Sequence, residues 1–83
     1  MAVRLHPHAL TRLAERGTTE AEVIATVTAG EPFPANYGRQ GFRRNFSFNT
    51  TWLGKWYATQ QVEAFAVLEG DEWLVISFIT KFF

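Results

Sequence analysis

The sequence has no cysteine, so no disulfide staples it and no thiolate is on hand as nucleophile or metal ligand. A disulfide-built secreted mini-protein is thereby excluded. No apolar run approaches the roughly 20 residues that a membrane-spanning helix needs. The opening MAVRLHPHAL lacks the apolar core of a signal peptide, and the expectation is a cytoplasmic protein with no membrane partner. Excess charge is missing too: eight Lys and Arg meet eight Asp and Glu. A neutral chain lacks the global basic field with which many proteins attract nucleic acid. Asp71 is the only aspartate and stands between Gly70 and Glu72 in a turn sequence, so no Ser-His-Asp arrangement can be built from it. His6 and His8 are two apart with no third ligand at useful spacing, so neither metal nor cofactor is expected. Nothing resembles a glycine-rich phosphate loop.

What the chain has instead is aromatic mass. Eight Phe, three Trp and two Tyr occur in 83 residues. Each can bury about 150–250 Å². In a single domain near the small end of what folds alone, that mass makes a core, a subunit interface, or both. Charge is also uneven along the chain. Between Pro32 and Val62 stand Arg39, Arg43, Arg44 and Lys55 with no acid; Glu63, Glu69, Asp71 and Glu72 follow with no base. A local basic lobe can face phosphate, although strands also alternate charge simply for solubility.

The first third reads as helical. Pro7 suits the first helical position and Gly17 a left-handed C-cap. Between them Ala9, Leu10, Leu13 and Ala14 share one side, opposite His8, Thr11, Arg12 and Glu15. Thr19 and Glu22 form a capping box for a second helix with Val23, Ile24 and Val27 as its apolar stripe, closed by Gly30 and Pro32. From there the period changes to two: Phe42, Phe46 and Phe48 alternate with Arg43, Asn45 and Ser47. Strands are expected near 33–37, around 42–48, from Trp56 to Leu68 and from Trp73 to Phe82, the last two joined by a tight turn at Gly70-Asp71. The predicted fold is one α+β domain over 1–83, with an N-terminal helical hairpin (7–30) packed on a three- to four-stranded antiparallel sheet (33–83).

A two-residue turn at Gly70-Asp71 sets Leu68 opposite Trp73, Ala66 opposite Val75, Ala64 opposite Ser77, Val62 opposite Ile79 and Gln60 opposite Lys81. The small residues in the middle of that face would let a helix approach closely. The other face would carry Phe65, Val67, Leu74, Ile76 and Phe78. Two short helices cover only one side, which predicts a homo-oligomer or a protein partner on the other.

Four groups of residues carry candidate chemistry. His8, Arg12 and Arg16 fall on successive turns and can act on one patch, with His8 as general base and the arginines as phosphate ligands. The same residues also make an ordinary polar helix face, in which Arg12 pairs with Glu15. Arg44 shares the parity of the Phe strand and needs a partner, for which Glu63 is the candidate, or else it is a cleft arginine for phosphate. Lys55, Tyr57 and Lys81 gather near one end of the strands, where a Lys or Tyr can protonate a leaving group. Trp52, Trp56, Tyr57 and Phe82 either build core or stack bases.

The run His8-Ala9-x-x-Arg12-x-x-x-Arg16-Gly17-x-Thr19-x-x-Glu22-Val23 resembles the N-terminal signature of a family of small bacterial domains of unknown function, of the form H-A-x-x-R-x-x-x-R-G-I-[ST]-x-x-[ED]-V. Ile79-Thr80-Lys81-Phe82 looks like that family's closing strand. The sequence departs from the signature at Thr18, where an apolar residue is usual. The family's order of elements is similar to that of RelE/BrnT-type toxins of toxin–antitoxin pairs, which are small, often metal-independent ribonucleases. The resemblance implies an RNA-cleaving domain with a cognate antitoxin. His8 and Arg12, with Lys81 or Tyr57 as acid, would be catalytic; Arg16, Arg43, Arg44 and Lys55 would bind phosphate. The alternative is a non-enzymatic interaction module or homo-oligomer that binds a partner through its aromatic sheet face.

Overall fold

The computed structural model describes residues 2–83, and it is built around one five-stranded mixed sheet. The elements run β1 (Ala2–Leu5), α1 (Pro7–Leu10), α2 (Glu20–Ala29), β2 (Glu31–Pro34), β3 (Gln40–Trp52), β4 (Lys55–Glu69) and β5 (Glu72–Phe82). The strand order is β1-β5-β4-β3-β2, with β1 parallel to β5 and the other neighbours antiparallel. This corrects the expected helical hairpin on an antiparallel sheet of three or four strands. Strand accounts for 57% of the chain and helix for 17%.

The helical hairpin fails in its first arm. Pro7 does open α1, but α1 lasts four residues and the chain continues to Gly17 as hydrogen-bonded turns. The amides of Arg12 and Leu13 bond three residues back, to Ala9 and Leu10, and the Thr11 hydroxyl donates to the His8 carbonyl at 2.8 Å. Such local bonds compete with the regular helix ladder. The apolar stripe is lost with the regular pitch: Ala9 is buried, but Leu10 is 42% exposed. The stop signal survives. Gly17 has φ +69°, its amide reaches the Ala14 carbonyl, and Thr18 N reaches the Leu13 carbonyl, the Schellman pattern.

The second arm is a helix as expected. The Thr19 hydroxyl accepts from the Glu22 amide while the Glu22 carboxylate accepts from the Thr19 amide, closing the capping box. Thr18 is buried, and its hydroxyl donates to the same Glu22 carboxylate at 3.0 Å. That bond accounts for a polar residue at this position. Val23, Thr26 and Val27 turn inward onto the sheet. Ala64 and Ala66, both fully buried, let the helix come close, and Val62, Val75, Phe42 and Phe78 complete the core with Leu5 and Ala9.

The four-residue strand β1 is too short to show a period, and no sequence pattern announces it. It adds Leu5 to the core and is tied by Arg4, which donates to Glu72 at 2.6 Å and to Glu69 at 2.8 Å. The hydrogen bond to Glu72 raises the Arg4 guanidinium above its ordinary pKa.

The β4–β5 register agrees with expectation at Leu68–Trp73 and Ala66–Val75 and then slips. A bulge falls between Ala66–Val75 and Phe65–Ser77, leaving Ile76 as the extra residue. Beyond it Ala64 faces Phe78, Val62 faces Thr80 and Gln60 faces Phe82. The slip turns Phe78 onto the helix side, where it is fully buried, and sends Ser77 and Ile79 to the other face. Burying a Phe where the unbulged strand would place Ser stabilises by about 1.5–3 kcal/mol, enough to select the bulged register.

Candidate functional site

The bulge also shapes a groove. β1 stops at Leu5, opposite Val75, and the His6 amide still bonds the Val75 carbonyl at 2.9 Å. Past that point the free edge of β5 is covered by the coiled segment 7–17. Arg16 Nη1 donates to the Phe78 carbonyl at 2.6 Å, and the Thr80 hydroxyl donates to the Arg16 carbonyl at 2.7 Å. Gln60 fastens the end of the segment by donating to the Gly17 carbonyl at 2.6 Å. Coil and strand do not close fully at the bulge. They leave a groove of about 190 Å³ lined by His8, Arg12 and Arg16 on one side and by Ile76, Ser77 and Phe78 on the other.

The three residues read from the sequence as one patch therefore share one concave surface. Arg12 is exposed and pairs with Glu15 at 2.9 Å, an exposed contact that contributes little. Arg16 is more enclosed. Its guanidinium lies 5.7 Å from the centre of the Phe78 ring and 4.0 Å from Glu15. The His6 and His8 rings are 5.1 Å apart, and His6 Nδ1 accepts from the His8 amide at 3.1 Å, which fixes the entry into α1.

The other candidates lie elsewhere. Lys81 is on the sheet face away from the helices, 3.7 Å from Glu63. Arg43, not Arg44, is the main partner of Glu63, at 2.6 Å. The expected Arg44–Glu63 pair fails because the two residues sit on opposite faces: Arg44 stands opposite Val62 and Arg43 opposite Glu63. Arg44 runs out along the helix side, its guanidinium 5.1 Å from the Phe46 ring centre and within 3.5 Å of the Ala25 carbonyl. Tyr57 joins Phe48 and Trp52 around Phe82, with ring centres 5.0–5.7 Å from it, and Lys55 lies 5.7 Å over the Tyr57 ring. Three of the four candidate stacking aromatics are thus packed on one another, while Trp56 is exposed.

The strand wall of the groove is not legible in the sequence. Ile76, Ser77 and Phe78 become its lining only through the bulge, and nothing in the alternation of the last strand marks that position. A second depression, of about 370 Å³, is equally unannounced. It lies under the 35–39 loop and is lined by Ala35, Asn36, Tyr37, Arg39, Phe65 and Ser77, with Pro34 at its rim. Among the described residues no three His, Cys, Asp or Glu side chains gather as a metal cluster, and no helix is long and apolar enough to cross a membrane.

No family model matches the chain, and no curated protein or solved structure matches it.

Proposed function

We propose that the protein is a small cytoplasmic RNA-binding domain whose coil–strand groove holds a phosphodiester, and that it cleaves the RNA there without a metal. One observation carries this reading: His8, Arg12 and Arg16 line a single groove although the regular helix meant to align them does not form. Two guanidinium forks suit a phosphate, and they stabilise the extra charge of a pentacoordinate phosphorane. His8 takes the proton of the 2′-hydroxyl, the 2′ oxygen attacks phosphorus, and the 5′ oxygen leaves with a proton from water. The His8–Val23 run resembles the signature of a small bacterial family of unknown function, and the toxin comparison drawn from its order of elements lends no support, because the sheet is mixed and the first helix lasts four residues. Lys81 and Tyr57 have no part in it, since neither lines the groove.

The test is purified protein on single-stranded RNA, with His8→Ala and Arg12→Ala beside it. The wild type is expected to cleave, and each variant to be slower, by a factor of roughly a hundred or more for the base. Absence of cleavage by the wild type, or equal cleavage by all three, rejects the assignment.

A second reading is favoured by the sheet face away from the helices. There Phe65 and Val67 are only half-buried and Ile79 is 38% exposed. An antitoxin-like protein or a second copy of the chain fits that face. A mass measurement showing a concentration-independent monomer that captures no neighbouring gene product would remove this alternative.

A further inference from the structure

We infer that the second depression is a nucleobase slot, so that the two grooves together hold one nucleotide unit of single-stranded RNA. The inference rests on the phosphate reading of the first groove and adds a site to it.

Ser77 lines both depressions. Its cross-strand neighbour is Phe65. Strands pair about 4.8 Å apart, so the basic groove at the β5 edge and the Phe65 ring are separated by little more than one strand. That is a span a single nucleotide bridges. The Phe65 ring is held in place edge-on by Phe33, at 5.9 Å and 86°. A fixed aromatic beside a basic groove is the combination with which proteins hold single-stranded nucleic acid.

Tyr37 supplies the second argument. It sits in the left-handed region at φ +61° and is 89% exposed. A bulky residue is strained there, and Tyr37 wins no burial in return. Asn or Gly would serve the turn better, as Gly38 does at φ +70°. Leu53 holds the same conformation at φ +50° and is 83% exposed, so the strain by itself assigns nothing, and Tyr37 is set apart by its place. It lines the slot together with Phe65, and a base between them gains a second aromatic partner. Arg39, in the same lining, adds a cation for the following phosphate, and its amide ties the loop by bonding the Asn36 carbonyl at 3.2 Å.

The experiment is equilibrium binding, followed by fluorescence anisotropy, of a labelled 2′-O-methyl RNA hexamer, which cannot be cleaved by 2′ attack. The same strand with abasic sites is the control. Losing one stacked base weakens binding roughly 5- to 150-fold. Tyr37→Ala should lose that much on the intact strand and nothing on the abasic strand, and Tyr37→Phe should bind as the wild type does. Tyr37 is exposed, so its variants test contact and not folding. If Arg12→Ala weakens binding but Tyr37→Ala does not, or if the wild type binds intact and abasic strands alike, the slot is wrong and the phosphate groove stands. If the wild type binds neither strand, both proposals fall.

Discussion

Glu63 meets Arg43 across the β3–β4 ladder, with Arg43 Nε and Nη2 each 2.6 Å from its Oε2. Glu63 is 5% exposed and lies on the sheet face away from the helices. Arg43 in turn lies over the Phe33 ring, 4.4 Å from its centre. Removing Arg43 leaves Glu63 with Lys81 alone at 3.7 Å. Arg43→Met is expected to cost about 1–3 kcal/mol, less than a fully buried pair because Arg43 is partly exposed. Arg44→Met, on the wet helix side, should cost about 0.5 kcal/mol or less. The double variant Arg43→Met/Glu63→Met should recover most of the loss, since an uncompensated charge is then gone. Urea unfolding followed by tryptophan fluorescence measures all three. Equal costs for Arg43→Met and Arg44→Met would show that the pair does not matter.

That pair also shows why the sequence is legible only in part. Local signals are sound wherever a few neighbouring residues decide the outcome. The capping box at Thr19, the Gly17 stop and the positive φ of Gly70, +63°, all stand in the structure. The errors come from contacts distant in sequence. The first helix is bent to the β5 edge by bonds from Arg16, Thr80 and Gln60, up to 64 residues apart in sequence. Alternation carries no mark for a bulge, so the expected parity fails past Ile76 and the face of every later residue is inverted. The clustering of His8, Arg12 and Arg16 is legible because spacings of four remain neighbours even in a loosened coil. Ser77, Phe65 and Tyr37 are not, because the first two join the site through strand pairing and Tyr37 through the path of a loop.

Gly17 and Gly70 both have positive φ, +69° and +63°, yet they are not equivalent. A Cβ at Gly70 meets open space. A Cβ at Gly17 would come within 2.9 Å of Trp52 Cε2 and 3.0 Å of Phe82 Cζ. Those rings belong to the aromatic group around Phe82, which cannot yield without moving Tyr57 and Phe48. Gly70→Ala should therefore lose about 1–2 kcal/mol, the left-handed strain alone. Gly17→Ala should lose that and a further 1–3 kcal/mol or so from crowding. Thermal unfolding orders the two variants, and a Gly17→Ala no worse than Gly70→Ala would mean the 7–17 coil can lift off the sheet freely.

Arg12 and Arg16 line the same groove but are held differently, and that separates binding from stability. Arg12 makes an exposed pair with Glu15, so Arg12→Gln should change the unfolding free energy by less than about 0.5 kcal/mol. Arg16 gives its Nη1 proton to the Phe78 carbonyl at 2.6 Å on the edge of β5. Arg16→Gln leaves that carbonyl without its charged donor and should cost about 1–3 kcal/mol. If both arginines touch phosphate, each variant lowers the slope of log affinity for single-stranded RNA against log salt by about 0.7, the value for one phosphate that the protein no longer neutralises. Glu15→Gln should act in the other direction and tighten binding, because it removes the carboxylate that competes with phosphate for both side chains. An unchanged salt slope in Arg12→Gln, together with no gain in Glu15→Gln, would place the RNA away from this groove.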